Sequence, residues 1–117
     1  MEDNLNWMKG GETMFNFKKH RLDFRRSTYS NGRPAIIVVE PKTGEEWAVL
    51  TCNLVDVNIP DGEFAVKTWS ENEKIAEACF KTGIFEDTGK RMSNGFVNAE
   101  IWKMAKGYDL EKMDLIT

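Results

Sequence analysis

Cysteine and histidine are scarce in this chain, and long apolar runs are absent. The 117 residues include two cysteines and one histidine. Cys52 and Cys79 lie far apart in different kinds of segment, with no CxxC pair and no zinc-type spacing. They read as two buried thiols of a reducing compartment. A disulfide would require their Cα atoms to approach to ~5.5 Å. His20 has no identifiable partners for a catalytic triad or an imidazole metal site, so it reads as a surface residue. The longest wholly apolar runs, such as residues 35–39, are far short of the ~18 residues of a membrane span. The start does not resemble a signal peptide. The expectation is a cytoplasmic protein that does not engage a membrane.

What is present is an ordinary globular balance, with 41% hydrophobic and 30% charged residues, enough for one domain with its own core. The net charge of −3 is unevenly spread. Residues 15–33 carry six Lys or Arg against one Asp, whereas residues 34–117 are net acidic by −6. A basic front joined to an acidic body is the one global electrostatic feature.

Residues 1–14 have little periodicity and read as a flexible leader. The run from Lys9 to Met14 can be back-translated as AAA GGA GGA GAA ACA ATG, which contains a bacterial ribosome-binding sequence before a start codon. On that reading Met14 is the natural start and the leader is not native; on the other, it is a genuine flexible tail. From Phe15 to Arg26, aromatic and basic residues partly alternate as in a strand. Asn31-Gly32 then signals a type I′ hairpin turn. The β-branched run 36–39 favours a buried strand over residues 34–40. Residues 41–44 turn the chain. Residues 45–54 have two apolar faces, which predicts a central strand. A short strand follows at residues 64–68.

The spacing predicts one helix over 70–82. Ser70 and Glu73 match a capping box, Ile75, Ala76, Cys79 and Phe80 form an apolar stripe, and Gly83 suits the C-terminal stop. Packing of Phe80 in the core predicts a cost of ~3–5 kcal/mol for Phe80→Ala. Residues 86–95 read as a loop, 96–104 as a last strand and 107–117 as a C-terminal tail. The expected fold is α+β, an antiparallel sheet of four to five strands with one helix packed on it, in a single domain over residues 15–106.

No catalytic, cofactor or metal site is assigned. The pairs Glu45-Glu46, Glu71 with Glu73, and Glu86-Asp87 fall in turns or at a helix start, not in a cleft suited to acid/base work. Thr88-Gly89-Lys90-Arg91 lacks the first glycine and the final Ser/Thr of a phosphate loop. Residues 56–62 lack the ligand series of a calcium loop. Interleaved aromatic and basic residues suit stacking on bases or contact with an acidic partner. The plain alternative is a strand with core aromatics and edge charges. The candidate partner-binding residues are therefore Lys18, Lys19, Arg21, Arg25, Arg26, Lys90 and Arg91, with Trp69 and Trp102 as anchors if exposed.

Residues 29–103 carry Asn31-Gly32, the segment Trp47-Ala48-Val49-Leu50-Thr51-Cys52-Asn53-Leu54, and Pro60-Asp61-Gly62-Glu63-Phe64. The helix, Thr88-Gly89 and Ser93-Asn94-Gly95-Phe96 follow. In this spacing the chain resembles a family of short uncharacterised proteins from mobile elements and phages of gut bacteria. It departs from that family at both ends, and no catalytic residue carries over. The resemblance implies a bacterial accessory gene, a setting in which small compact proteins inhibit host defence systems. The expectation is a non-enzymatic binding protein, an anti-CRISPR-like inhibitor of a defence complex acting through protein–protein contact. The alternative is a nucleic-acid-binding accessory factor using the basic first strand.

Overall fold

The computed structural model describes residues 13–93 and 95–116. Apart from Thr13 and Met14, the leader lies outside the described residues. Thr13 is buried, and its hydroxyl donates to Asp23 Oδ1, which also accepts from the Phe24 N–H at 2.8 Å. The order is β1 (Phe15–Phe17), β2 (His20–Thr28), β3 (Pro34–Glu40), β4 (Glu45–Val49), β5 (Glu63–Val66), α1 (Glu73–Lys81), β6 (Phe85–Ser93) and β7 (Asn98–Met104). The α+β class holds, but seven strands form two antiparallel sheets, β1-β2-β3-β4 and β5-β7-β6. Beyond β4 the chain passes from one sheet to the other. The Leu50 N–H donates to Ile36 O at 2.8 Å, while Leu50 O accepts from Lys67 N–H at 2.8 Å.

Two departures from the expected strand count have local causes. The basic first strand is a hairpin, because Lys18 and Lys19 both adopt positive φ, 48° and 69°. That is the signature of a two-residue type I′ turn. At Asn31-Gly32 only Gly32 has positive φ, and its N–H donates to Tyr29 O at 2.9 Å, so a type I turn followed by a left-handed glycine closes that hairpin instead. The expected loop at residues 86–95 is largely strand β6, with the pairing against β7 interrupted between Asp87 and Arg91. Within that bulge Gly89 takes φ +87° and its N–H donates to Asp87 Oδ1 at 2.8 Å.

The third predicted strand is corrected in length and place. β4 ends at Val49 and forms a sheet edge rather than a centre. Glu45 and Glu46 are exposed there, where charge deters further pairing. β3 fills the central role. Ile36 and Val38 enter the main core, and Ala35, Ile37 and Val39 are buried on the opposite face beneath Tyr29 and Ile116.

That second cover comes from the chain beyond residue 107. Asp109 caps a 3-10 turn, Leu110–Lys112, by accepting from the Glu111 N–H at 3.0 Å. Met113 is then 3% exposed within the main core. Arg26 N–H donates to Asp114 O at 2.9 Å, and Ile116 N–H donates to Arg26 O at 3.0 Å. These bonds occupy the edge of β2 that β1 leaves open beyond Leu22. Met113→Ala is expected to cost about 2–5 kcal/mol. A urea unfolding midpoint equal to wild type would contradict this placement.

The helix also differs from its sequence pattern. Ser70 lies at φ +55° in a 3-10 turn, Ser70–Asn72, and makes no capping bond, so the capping box does not form. Asn72 is buried instead, and its Nδ2 donates to Val49 O at 2.8 Å, tying the helix start to the end of β4. Gly83, at φ +80°, terminates the helix as expected. Ile75, Ala76 and Cys79 are buried, and α1 touches both β1 and β6. Phe80 is 42% exposed, over Trp102 at 5.1 Å between ring centroids, and is not a core residue.

Candidate functional site

The type I′ turn projects Lys18 and Lys19 from the end of the β1–β2 hairpin, both exposed. Around them the pleat gathers rings. His20 lies 4.4 Å from Trp47 of β4, centroid to centroid, and Phe17 meets Trp47 edge-on at 6.3 Å. Lys18 Nζ stands 5.4 Å from the Phe17 ring centroid, a cation–π distance. Arg21 adds a third cation, held by its Nη1 donating to Asn16 Oδ1 at 3.3 Å. Neither Lys18 nor Lys19 has an ion-pair partner among the described residues. One face of the hairpin thus carries Phe17 and His20 with Trp47 of the edge strand β4, the two lysines cap its tip, and Arg21 with Asn16 stands on the opposite face.

The remaining candidate residues do not join this surface. Arg25 pairs with Asp23 at 3.3 Å and donates to Phe24 O at 2.8 Å. Arg26 donates through Nε to Met113 O at 3.0 Å and so holds the C-terminal segment. Lys90 and Arg91 lie on β6 of the other sheet. Lys90 pairs with Glu63 at 2.7 Å, and Arg91 makes a bidentate contact with Asp87 at 3.0 and 2.9 Å. Trp69 is half-buried against the cluster of Leu54, Ala65 and Ile101. Trp102 is 2% exposed in the core, which removes it as a surface anchor.

The titratable groups follow from these contacts. The Arg91 guanidinium holds the Asp87 carboxyl below the usual carboxylate range. Because that pKa is lowered by folding, the pair's stabilisation is complete above the ordinary carboxylate range and is lost as pH falls through the lowered value. Exposure to solvent keeps the contribution small. Burial pushes the thiol pKa values of Cys52 and Cys79 up, so both remain protonated thiols at neutral pH and are poor nucleophiles. Both cysteines are free. Among the described residues no His/Cys/Asp/Glu group has the geometry to hold a metal ion.

Two open grooves mark the rest of the surface. One, of about 690 Å³, lies between the β2–β3 hairpin, the start of β5 and the C-terminal segment, and is lined by groups of both charges, including Arg26, Asp61, Lys103 and Glu111. The other, of about 490 Å³, runs between α1 and the β6–β7 pair. Large apolar exposure is scattered over Phe96, 94% exposed beside the β6–β7 turn, and over Val55, Leu115, Val49 and Phe80. Sequence reasoning placed Phe80 inside and left Trp47 out of the basic surface. The pairing of β4 beside β3 is what brings Trp47 near His20, and no local pattern signals that approach.

No family model matches the chain, and no curated protein or solved structure matches it. Among the described residues, no helix is long and apolar enough to cross a membrane.

Proposed function

We propose that this chain is a non-enzymatic binding protein whose β1–β2 hairpin covers an acidic surface on a partner protein. The observation that supports this reading is the presence of lysine at both positive-φ positions of the turn. Side chains other than glycine sit there at a penalty of roughly 1–2 kcal/mol per residue. Asn-Gly would form the same turn with less strain. Strained backbone of this kind concentrates at contact sites, where the function of the side chain outweighs its conformational cost. The specific partner proposed is a host defence nuclease complex, the setting that the family resemblance implies. Pull-down against purified CRISPR effector complexes, with a phage-protection assay, tests it. Capture and protection are expected from wild type; no capture and no protection would end this reading.

The ring cluster favours a second reading. Phe17, His20 and Trp47 beside Lys18 and Lys19 also resemble a stacking platform for single-stranded nucleic acid. That reading requires salt-dependent binding of oligonucleotides. A gel shift at low salt with no retarded band removes it and leaves the protein-partner reading intact.

A further inference from the structure

The groove between α1 and the β6–β7 pair has the opposite polarity to the hairpin. One helix stripe, Glu73, Ala76, Glu77 and Phe80, forms one wall; Asp87 and Glu100 stand on the other, with Trp102 below. Its lining is mainly apolar, and its rim carries four carboxylates. Lys81 is 3.8 Å from Glu77, Arg91 neutralises Asp87, and Arg91 reaches Glu100 only at 3.9 Å. Glu73 has no ion-pair partner among the described residues. The Trp102 Nε1–H donates to Glu100 Oε1 at 2.9 Å and orients that carboxylate. Phe80 leans over the same floor, tilted 51° to the Trp102 ring.

We infer that this groove is a docking site for an arginine side chain presented by an exposed segment of a partner protein. Charge complementarity sets the sign of the occupant, since two carboxylates remain in excess over the neighbouring cations. The Phe80 ring sets its shape, being 42% exposed where Trp102 lies beneath it at 2%. A planar guanidinium stacks on an aromatic face and binds a carboxylate through two N–H groups, which a lysine ammonium does not do. The apolar lining accepts the methylene stem. The groove would therefore grip a partner at a point separate from the hairpin, and the inference stands whether or not the hairpin reading does.

The test uses an acetylated and amidated Gly-Ser-Arg-Gly-Ser peptide and its citrulline counterpart, titrated into the full isotope-labelled chain and followed by NMR. The arginine peptide should shift the Trp102 indole N–H and amides of α1, β6 and β7. The citrulline peptide should bind about tenfold more weakly, a difference of about 1.4 kcal/mol. Glu73→Gln with Glu77→Gln should weaken arginine binding by a similar factor. These sites are exposed, so the variant is expected to fold, and its circular dichroism checks that. Lys18→Asn with Lys19→Gly should leave arginine binding unchanged. Equal binding of citrulline, shifts confined to other surfaces, or no saturable shift would overturn the inference. Sedimentation showing a dimer dissolved by both the Glu73/Glu77 and the Lys18/Lys19 variants would assign the groove to a second copy and overturn the partner assignment.

Discussion

Replacing Lys18 by Asn and Lys19 by Gly is expected to stabilise the fold while weakening partner binding. Both positions have positive φ, so the substitution relieves backbone strain of roughly 1–2 kcal/mol per residue. Glycine returns part of that gain, ~0.4–1 kcal/mol, because it loosens the unfolded chain. The net expectation is a gain of about 1–3 kcal/mol in urea unfolding, with an unchanged slope. Neither lysine has an ion-pair partner among the described residues, and loss of the Lys18–Phe17 cation–π contact, ~0.5–1 kcal/mol at an exposed site, moves the gain toward the lower end of that range. The same variant should lose at least about tenfold in affinity for the partner. A destabilised variant would show that the turn is held by interactions of the lysines themselves and would remove strain as an argument for function.

Trp102→Ala is expected to cost about 3–5 kcal/mol, whereas Phe80→Ala, one ring away, should cost only about 1–2 kcal/mol. Trp102 belongs to a run of rings that joins the two sheets. Phe15 stacks on Phe24 at 5.1 Å, Phe24 meets Phe85 at 5.2 Å, and Phe85 meets Trp102 at 5.7 Å. Truncating Trp102 opens a buried cavity within that run, between Phe85 and Phe80, and leaves Glu100 without the indole donor. Phe80 ends the run at the surface, 42% exposed, so its removal leaves no enclosed void. Trp102→Phe keeps a ring and should recover most of the loss. Denaturant unfolding of the three variants gives the comparison directly. Equal costs at positions 80 and 102 would contradict the packing described.

The contrast between these two residues shows how far local pattern reaches. The helical period places Ile75, Ala76, Cys79 and Phe80 on one stripe, and three of the four are buried. Phe80 is not: it lies over Trp102 and stays 42% exposed, an outcome of how α1 docks that the helical period does not encode. β3 was legible from its β-branched run, and Gly83 from the need for a left-handed residue at the helix end. β6 was not, because Glu86-Asp87-Thr88-Gly89-Lys90-Arg91 contains no apolar alternation and bulges in its middle. The break between β1 and β2 was hidden for the opposite reason. Turn chemistry predicts Asn or Gly at positive φ, and this turn is built from two lysines. The basic charge of the candidate surface was visible in sequence. Its division was not: the tether from Arg26 to Met113 and the Lys90–Glu63 pair arise from long-range pairing, and the local Arg91–Asp87 pair from the bulge in β6.

The proposed contact surface is the β1–β2 hairpin. The direct measurement is the affinity of wild type for a captured defence nuclease complex across a salt series, beside two variants of equal charge change. One is Lys18→Asn with Lys19→Gly; the other is Lys106→Asn with Lys112→Asn, at exposed sites in and before the C-terminal segment that is tied to Arg26. At least about tenfold weaker binding and a shallower salt dependence are expected for the hairpin variant alone. Binding by the hairpin variant equal to wild type, or equal losses in both variants, would contradict it.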